Sequence, residues 1–84
     1  MIKKNMTINI ATGLEARPVA ILVQEASKFD SSVYIESGNK KVNAKSIMGM
    51  MTLGLAEGES VKVTADGADE AQAIEGIEKY LSNN

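Results

Sequence analysis

The side chains available for chemistry in this sequence are carboxylates, hydroxyls and amines, because the chain contains no histidine and no cysteine. Without an imidazole or a thiol there is no Ser-His-Asp or Cys-His arrangement and no ordinary zinc site, so a bound metal would need a cage of carboxylates. Asp66, Asp69 and Glu70 form the densest acidic group. Their spacing lacks the alternating oxygens of a calcium loop, and a polar turn followed by a helix cap accounts for them. No metal and no other cofactor is expected. The glycines Gly49, Gly54 and Gly58 do not form a phosphate cradle behind a strand, and no GxxxxGK[ST] occurs. Two places remain. Glu15 stands between a turn at Gly13 and the first turn of a helix, with Arg17 close behind it. Ser46 stands directly before the run Ile47, Met48, Gly49, Met50, Met51. Each has an ordinary structural role open to it: an acid at a helix start gains about 0.3–1 kcal/mol, and a serine N-cap about 1 kcal/mol.

The elements that must position these residues follow from hydrophobic periodicity. Met6, Ile8 and Ile10 alternate with polar residues as a first strand. Pro18 suits a first helical turn, and Val19, Leu22, Val23, Ala26 and Phe29 recur at helical spacing. Val33 and Ile35 give a second strand; Ser37-Gly38-Asn39 turns the chain, and Lys41-Val42-Asn43 returns beside it. Ser46 then heads a short helix in which Met50 belongs to the core and Met51 fits either core or surface by spacing alone. Val61, Val63 and Ala65 make a last strand. Asp69 with Gln72 forms a capping-box-like start for a helix burying Ala73, Ile74, Ile77 and Leu81. The order is β-α-β-β-α-β-α, which predicts a two-layer α+β domain with its helices on one face of a mainly antiparallel sheet.

Length and composition narrow the function. A chain of 84 residues has room for one small domain. A net charge of −2 leaves no basic surplus for phosphate backbones, and two tyrosines and one phenylalanine are too scattered to stack bases. No direct nucleic-acid contact is expected. The apolar run Val19 to Val23 is far short of a membrane span, and the N-terminal residues lack the build of a signal peptide. A cytoplasmic address and no membrane partner are the expectations. The absence of cysteine agrees with a reducing compartment without requiring one.

Two longer stretches, GLEARP before an amphipathic helix and KKVNAKSIMGMMTLGLAEG around Ser46, closely resemble HPr, the histidine-containing phosphocarrier of the bacterial sugar phosphotransferase system. The resemblance runs the full chain. It implies a single HPr-like domain over residues 1–84, folded as an open-faced β-sandwich: a four-stranded antiparallel sheet covered on one face by three helices. In that family the loop reads G-[LI]-H-A-R-P, and its histidine takes phosphate from enzyme I and passes it to enzyme II components. Gly13, Ala16, Arg17 and Pro18 match, whereas the histidine position holds Glu15. Phosphocarrying uses a nucleophilic imidazole nitrogen, so the resemblance implies that no catalytic or carrier residue remains. Glu15 also places one negative charge where the phosphate would sit, beside Arg17, against the greater charge and extra oxygen of a phosphoryl group.

Lys45-Ser46-Ile47 resembles the regulatory site of HPr from low-GC Gram-positive bacteria, where an ATP-dependent HPr kinase/phosphorylase modifies the serine. Arg17, Ile47, Met48 and Met51 are the implied partner-binding residues around it, the flexible thioethers suiting a docking surface. A regulatory branch of the family, Crh or catabolite repression HPr, keeps the serine and usually has glutamine at the histidine position. The resemblance therefore implies a non-enzymatic phosphoprotein that is phosphorylated on Ser46 and acts as corepressor of catabolite control protein A. Enzyme I-type surfaces are a further partner without phosphate transfer, and the chain would be a monomer or a strand-exchanged dimer. The alternatives are an HPr phosphocarrier with a deliberately replaced histidine and, last, an enzyme carrying an acyl phosphate on Glu15.

Overall fold

Alternating apolar residues set four strands, and two 3.6-residue stripes set the helices that cover them. The structure, a computed structural model, describes residues 1–10 and 16–82. Along the chain it runs β1 (Ile2–Thr7), α1 (Ala16–Ser27), β2 (Ser32–Ser37), β3 (Lys40–Asn43), α2 (Ile47–Met51), β4 (Ser60–Asp66) and α3 (Glu70–Ser82). The strands form one antiparallel sheet in the order β1-β4-β2-β3. The result is an open-faced α+β sandwich of the kind the sequence implies.

Register explains which side is covered. Val63 of β4 pairs with Ile35 of β2, and Ile35 in turn with Val42 of β3, so one row of apolar side chains crosses the sheet. Val61, Val63, Ala65, Val33 and Ile35 are buried against Val19, Leu22 and Ala26 of α1 and Ala73, Ile77 and Leu81 of α3 within one apolar core. Burial of such aliphatic side chains contributes roughly 1.5–3 kcal/mol each. α3 packs on β1, β4 and α1, and α1 packs in turn on α2. At the sheet edge Lys4 closes this layer by donating to Glu78 of α3 over 2.8 Å. The opposite face carries the row Lys3, Thr64, Tyr34, Asn43, of which Thr64 is buried, with Lys41 Nζ 5.1 Å above the Tyr34 ring. Between β2 and β3, Gly38 supplies the φ of +59° that a two-residue hairpin loop demands at its first position.

Two expectations need correction. β1 begins earlier and stops at Thr7, so Ile8 and Ile10 lie beyond it although both are buried. Ile8 donates to the Glu59 carbonyl over 2.9 Å while its own carbonyl accepts from Gly58 N–H at 2.7 Å. Two residues thus face one in the manner of a bulge, which ends the regular ladder. Asp69 does precede α3, but the bonds its carboxylate makes serve another junction: it accepts from the amides of Asp30 and Ser31, each at 2.9 Å, and from the Ser31 hydroxyl. Glu70 supplies the reach back at the helix start, accepting from Gly67 N–H at 3.1 Å and from the Met1 ammonium at 3.0 Å.

This junction ties the entrance of β2 to the head of α3 and yields two predictions. Gly67 is needed for close approach, because a Cβ there would stand 2.7 Å from Ser31 Cα and 2.6 Å from its Oγ. Gly67→Ala should destabilise the fold by about 1–3 kcal/mol, the usual effect of forcing an extra carbon into a packed site, measured by urea unfolding. The hydroxyl of Ser31 and then the Asp30 amide hold the Asp69 carboxyl below its ordinary value of 3.8. A depressed carboxyl stabilises the fold above the unfolded value and loses that contribution as pH falls through the folded one. Asp69→Asn should therefore be less stable at pH 7, and the gap to the parent protein should close on acidification below pH 3.8. Urea midpoints for both proteins across that range check the sign.

Candidate functional site

Ser46 is placed by a tight turn from β3 into α2. Asn43 accepts from the Lys45 amide through its side chain at 2.8 Å and from the Ser46 amide through its carbonyl at 3.0 Å. That turn leaves Ser46 extended, with φ −108° and ψ 113°, as the N-cap of α2. Its Oγ accepts from Gly49 N–H at 3.2 Å, and its carbonyl accepts from Met50 N–H at 2.9 Å. The hydroxyl is half-buried at the helix head and the cap expected from sequence is formed.

Two lysines steady the helix from outside, and sequence reasoning missed both. Lys45 Nζ donates to the Phe29 carbonyl at 2.7 Å, just past the end of α1, and Lys40 Nζ donates to the Thr52 carbonyl at 2.9 Å, at the end of α2. At the Thr52 C-cap the Lys40 cation satisfies a carbonyl at the end of α2. The Thr52 hydroxyl adds a bond to the Gly49 carbonyl at 2.6 Å. A helix of five residues is thus pinned at both ends. A basic residue 12 or 16 positions from the carbonyl it reaches carries no local signal, so only tertiary structure shows these bonds.

Around Ser46 the apolar residues divide sharply. Met50 is 0% exposed and belongs to the core, whereas Ile47 is 52%, Met48 84% and Met51 48% exposed. The spacing that left Met51 open is thereby resolved toward the surface. On the adjoining helix α1, Ile21 is 42% exposed, an apolar surface residue not anticipated. It lies four residues after Arg17, itself exposed on α1, so both share one helix face. That i, i+4 spacing was the signal available in the sequence. Residues 11–15 lie outside the described residues, and Glu15 with them. Nearby, Tyr80 donates to the Pro18 carbonyl at 3.3 Å, and burial pushes its phenol upward. The acidic residues Asp69 and Glu70 are engaged by amides and the ammonium described above, and among the described residues no group of three possible metal ligands gathers. No described helix is long and apolar enough to cross a membrane.

The site is thus a serine-capped short helix bordered by exposed isoleucine and methionine, on an open-faced sandwich with the strand order β1-β4-β2-β3. The family model for the phosphorylation-site component HPr of the phosphotransferase system matches residues 2–83, and the chain belongs to the HPr family. Among its relatives, the HPr-like protein Crh of Bacillus subtilis is 46% identical over 81 residues, covering 96% of this chain and 95% of that protein. The phosphocarrier HPr of Bacillus anthracis superposes with a TM-score of 0.94 at 40% identity, covering 96% of each chain. The crystal structure of Bacillus subtilis Crh, described as a swapped dimer, gives a TM-score of 0.80 at 44% identity over 100% of this chain and 97% of that one.

Proposed function

We propose that this protein is a Crh-like regulator of carbon catabolite repression in the cytoplasm: HPr kinase/phosphorylase phosphorylates Ser46, and the phosphoprotein acts as corepressor of catabolite control protein A without carrying phosphate to sugars. The observation that carries this reading is the half-buried Ser46 hydroxyl at the head of α2, bordered by Ile47, Met48 and Met51. Similarity to proteins of the Crh branch supports it. Phosphate on Ser46 adds about −1.5 to −2 charge and three acceptor oxygens beside the Gly49 amide that already points at Oγ, so the helix tolerates it. The repressor then meets charge and apolar surface together, with Arg17 as a supporting contact. A second copy of the chain is a further partner, because β1 lies at the sheet edge and pairs with β4 alone, which permits strand exchange. The likeness to the Bacillus anthracis phosphocarrier favours a second reading, an HPr whose histidine has been replaced by Glu15. The codon in the source genome separates the two.

Incubation with the kinase and ATP should place one phosphate on Ser46, located by mass spectrometry. Ser46→Ala should accept none and should lose roughly 0.5–2 kcal/mol of stability with its cap. Calorimetric titration should show the phosphorylated form binding catabolite control protein A more tightly than the free form. An unmodified Ser46, under conditions that label a genuine HPr, removes the basis of this reading.

A further inference from the structure

We propose that Met48 and Met51 form an oxidant-sensitive modification site, at which peroxide converts the apolar apron beside Ser46 into a polar one and weakens docking; the docking half of this proposal rests on the function proposed above. With no cysteine in the chain, its five methionines are its only sulfur groups. They are not equivalent. Met6 and Met50 are buried in the core, whereas Met48 is 84% and Met51 48% exposed. Oxidation follows exposure, because the oxidant must reach the thioether lone pair. The remaining exposed methionine, Met1, lies beside Asp66 and Glu70, where its ammonium meets both carboxylates.

The chemistry is a two-electron oxygen transfer. The Met48 sulfur attacks one oxygen of hydrogen peroxide, the O–O bond breaks, the sulfur is oxidised to the sulfoxide and the peroxide is reduced to water. The product is polar and chiral where a flexible apolar side chain had been, and methionine sulfoxide reductases reverse it. α2 is held by Ser46, Lys40 and Thr52 through backbone bonds that do not involve the exposed thioethers, so its fold survives the change. What changes is the surface that a partner must desolvate.

The test is limited peroxide treatment of the whole protein, with peptide mapping over time and calorimetry of the Ser46-phosphorylated form against catabolite control protein A. Sulfoxide should appear at Met48 before Met51, and also at Met1, which is 68% exposed, with Met50 and Met6 unmodified and the thermal midpoint unchanged. Affinity should fall about tenfold or more, as expected for loss of apolar contacts at the centre of an interface. The double variant Met48→Leu with Met51→Leu keeps the apolar surface without the sulfur, so its binding should resist peroxide even though Met1 still oxidises. Oxidation of Met50 as fast as Met48 overturns the site, and equal loss of affinity in the double variant overturns the role of these two methionines. Failure of the unoxidised phosphoprotein to bind overturns the corepressor reading and the docking half with it, while the order of oxidation still decides the modification site.

Discussion

Glu15→His should be labelled by enzyme I and phosphoenolpyruvate to near one phosphate per chain, whereas the parent protein should take none from that donor. The expectation follows from the family loop, in which Gly13, Ala16, Arg17 and Pro18 are all present and only the imidazole is replaced. An imidazole nitrogen is nucleophilic near neutral pH and makes a phosphoramidate that the next protein can attack. The measurement is labelling from phosphoenolpyruvate, followed by treatment with acid, which releases phosphate from histidine. Stability should move by no more than about 1 kcal/mol, the scale of a charge at a helix start. Labelling of the parent protein at a hydroxylamine-sensitive Glu15 adduct would instead make it an acyl-phosphate carrier. A Glu15→His protein that stays unlabelled would show that its surface no longer suits enzyme I, which favours a natural regulatory branch.

The second large effect separates two neighbouring residues of one type. Met50→Ala should destabilise the protein by about 2–5 kcal/mol, because a side chain with no exposure leaves a cavity among α1, α2 and the sheet. Met51→Ala, at a half-exposed position, should change stability by about 0.5 kcal/mol or less. In binding the order should invert. Met51→Ala weakens association of the phosphorylated protein with catabolite control protein A, whereas Met50→Ala affects it only through loss of folded protein. Urea unfolding and calorimetry on the same two variants read both halves.

These residues also show how far sequence carries. The strands and long helices were legible because each buries one face, and a buried face leaves a period of two or of 3.6 residues: Val61, Val63, Ala65 and Ala73, Ile74, Ile77, Leu81 all lie in the core. The Ser46 cap was legible because its bond closes over three residues. What escaped has a different physics. Asp69 and Ser31 meet across 38 residues of chain, Lys45 reaches the Phe29 carbonyl across 16, and neither contact leaves a local pattern. Met51 was ambiguous because a five-residue helix makes little more than one turn, too short for a stripe to define its inner edge. The function was legible only through the resemblance, since a serine before an apolar run is in physical terms just a cap.

The position of β4 has a consequence for how the protein comes off the ribosome. β1 pairs with β4 alone, β2 pairs with β3 and β4, and β4 is the last strand to be made. While residues 1–59 are being synthesised, only the β2–β3 hairpin can close, so the amide edges of β1 and β2 wait unpaired beside a half-built core. The emergence of Ser60–Asp66 joins both edges in one step, and α3 then covers the inner face. A chain ending just before residue 60 would therefore be adhesive, and only one that includes Ser60–Asp66 and α3 can close the sheet and cover it.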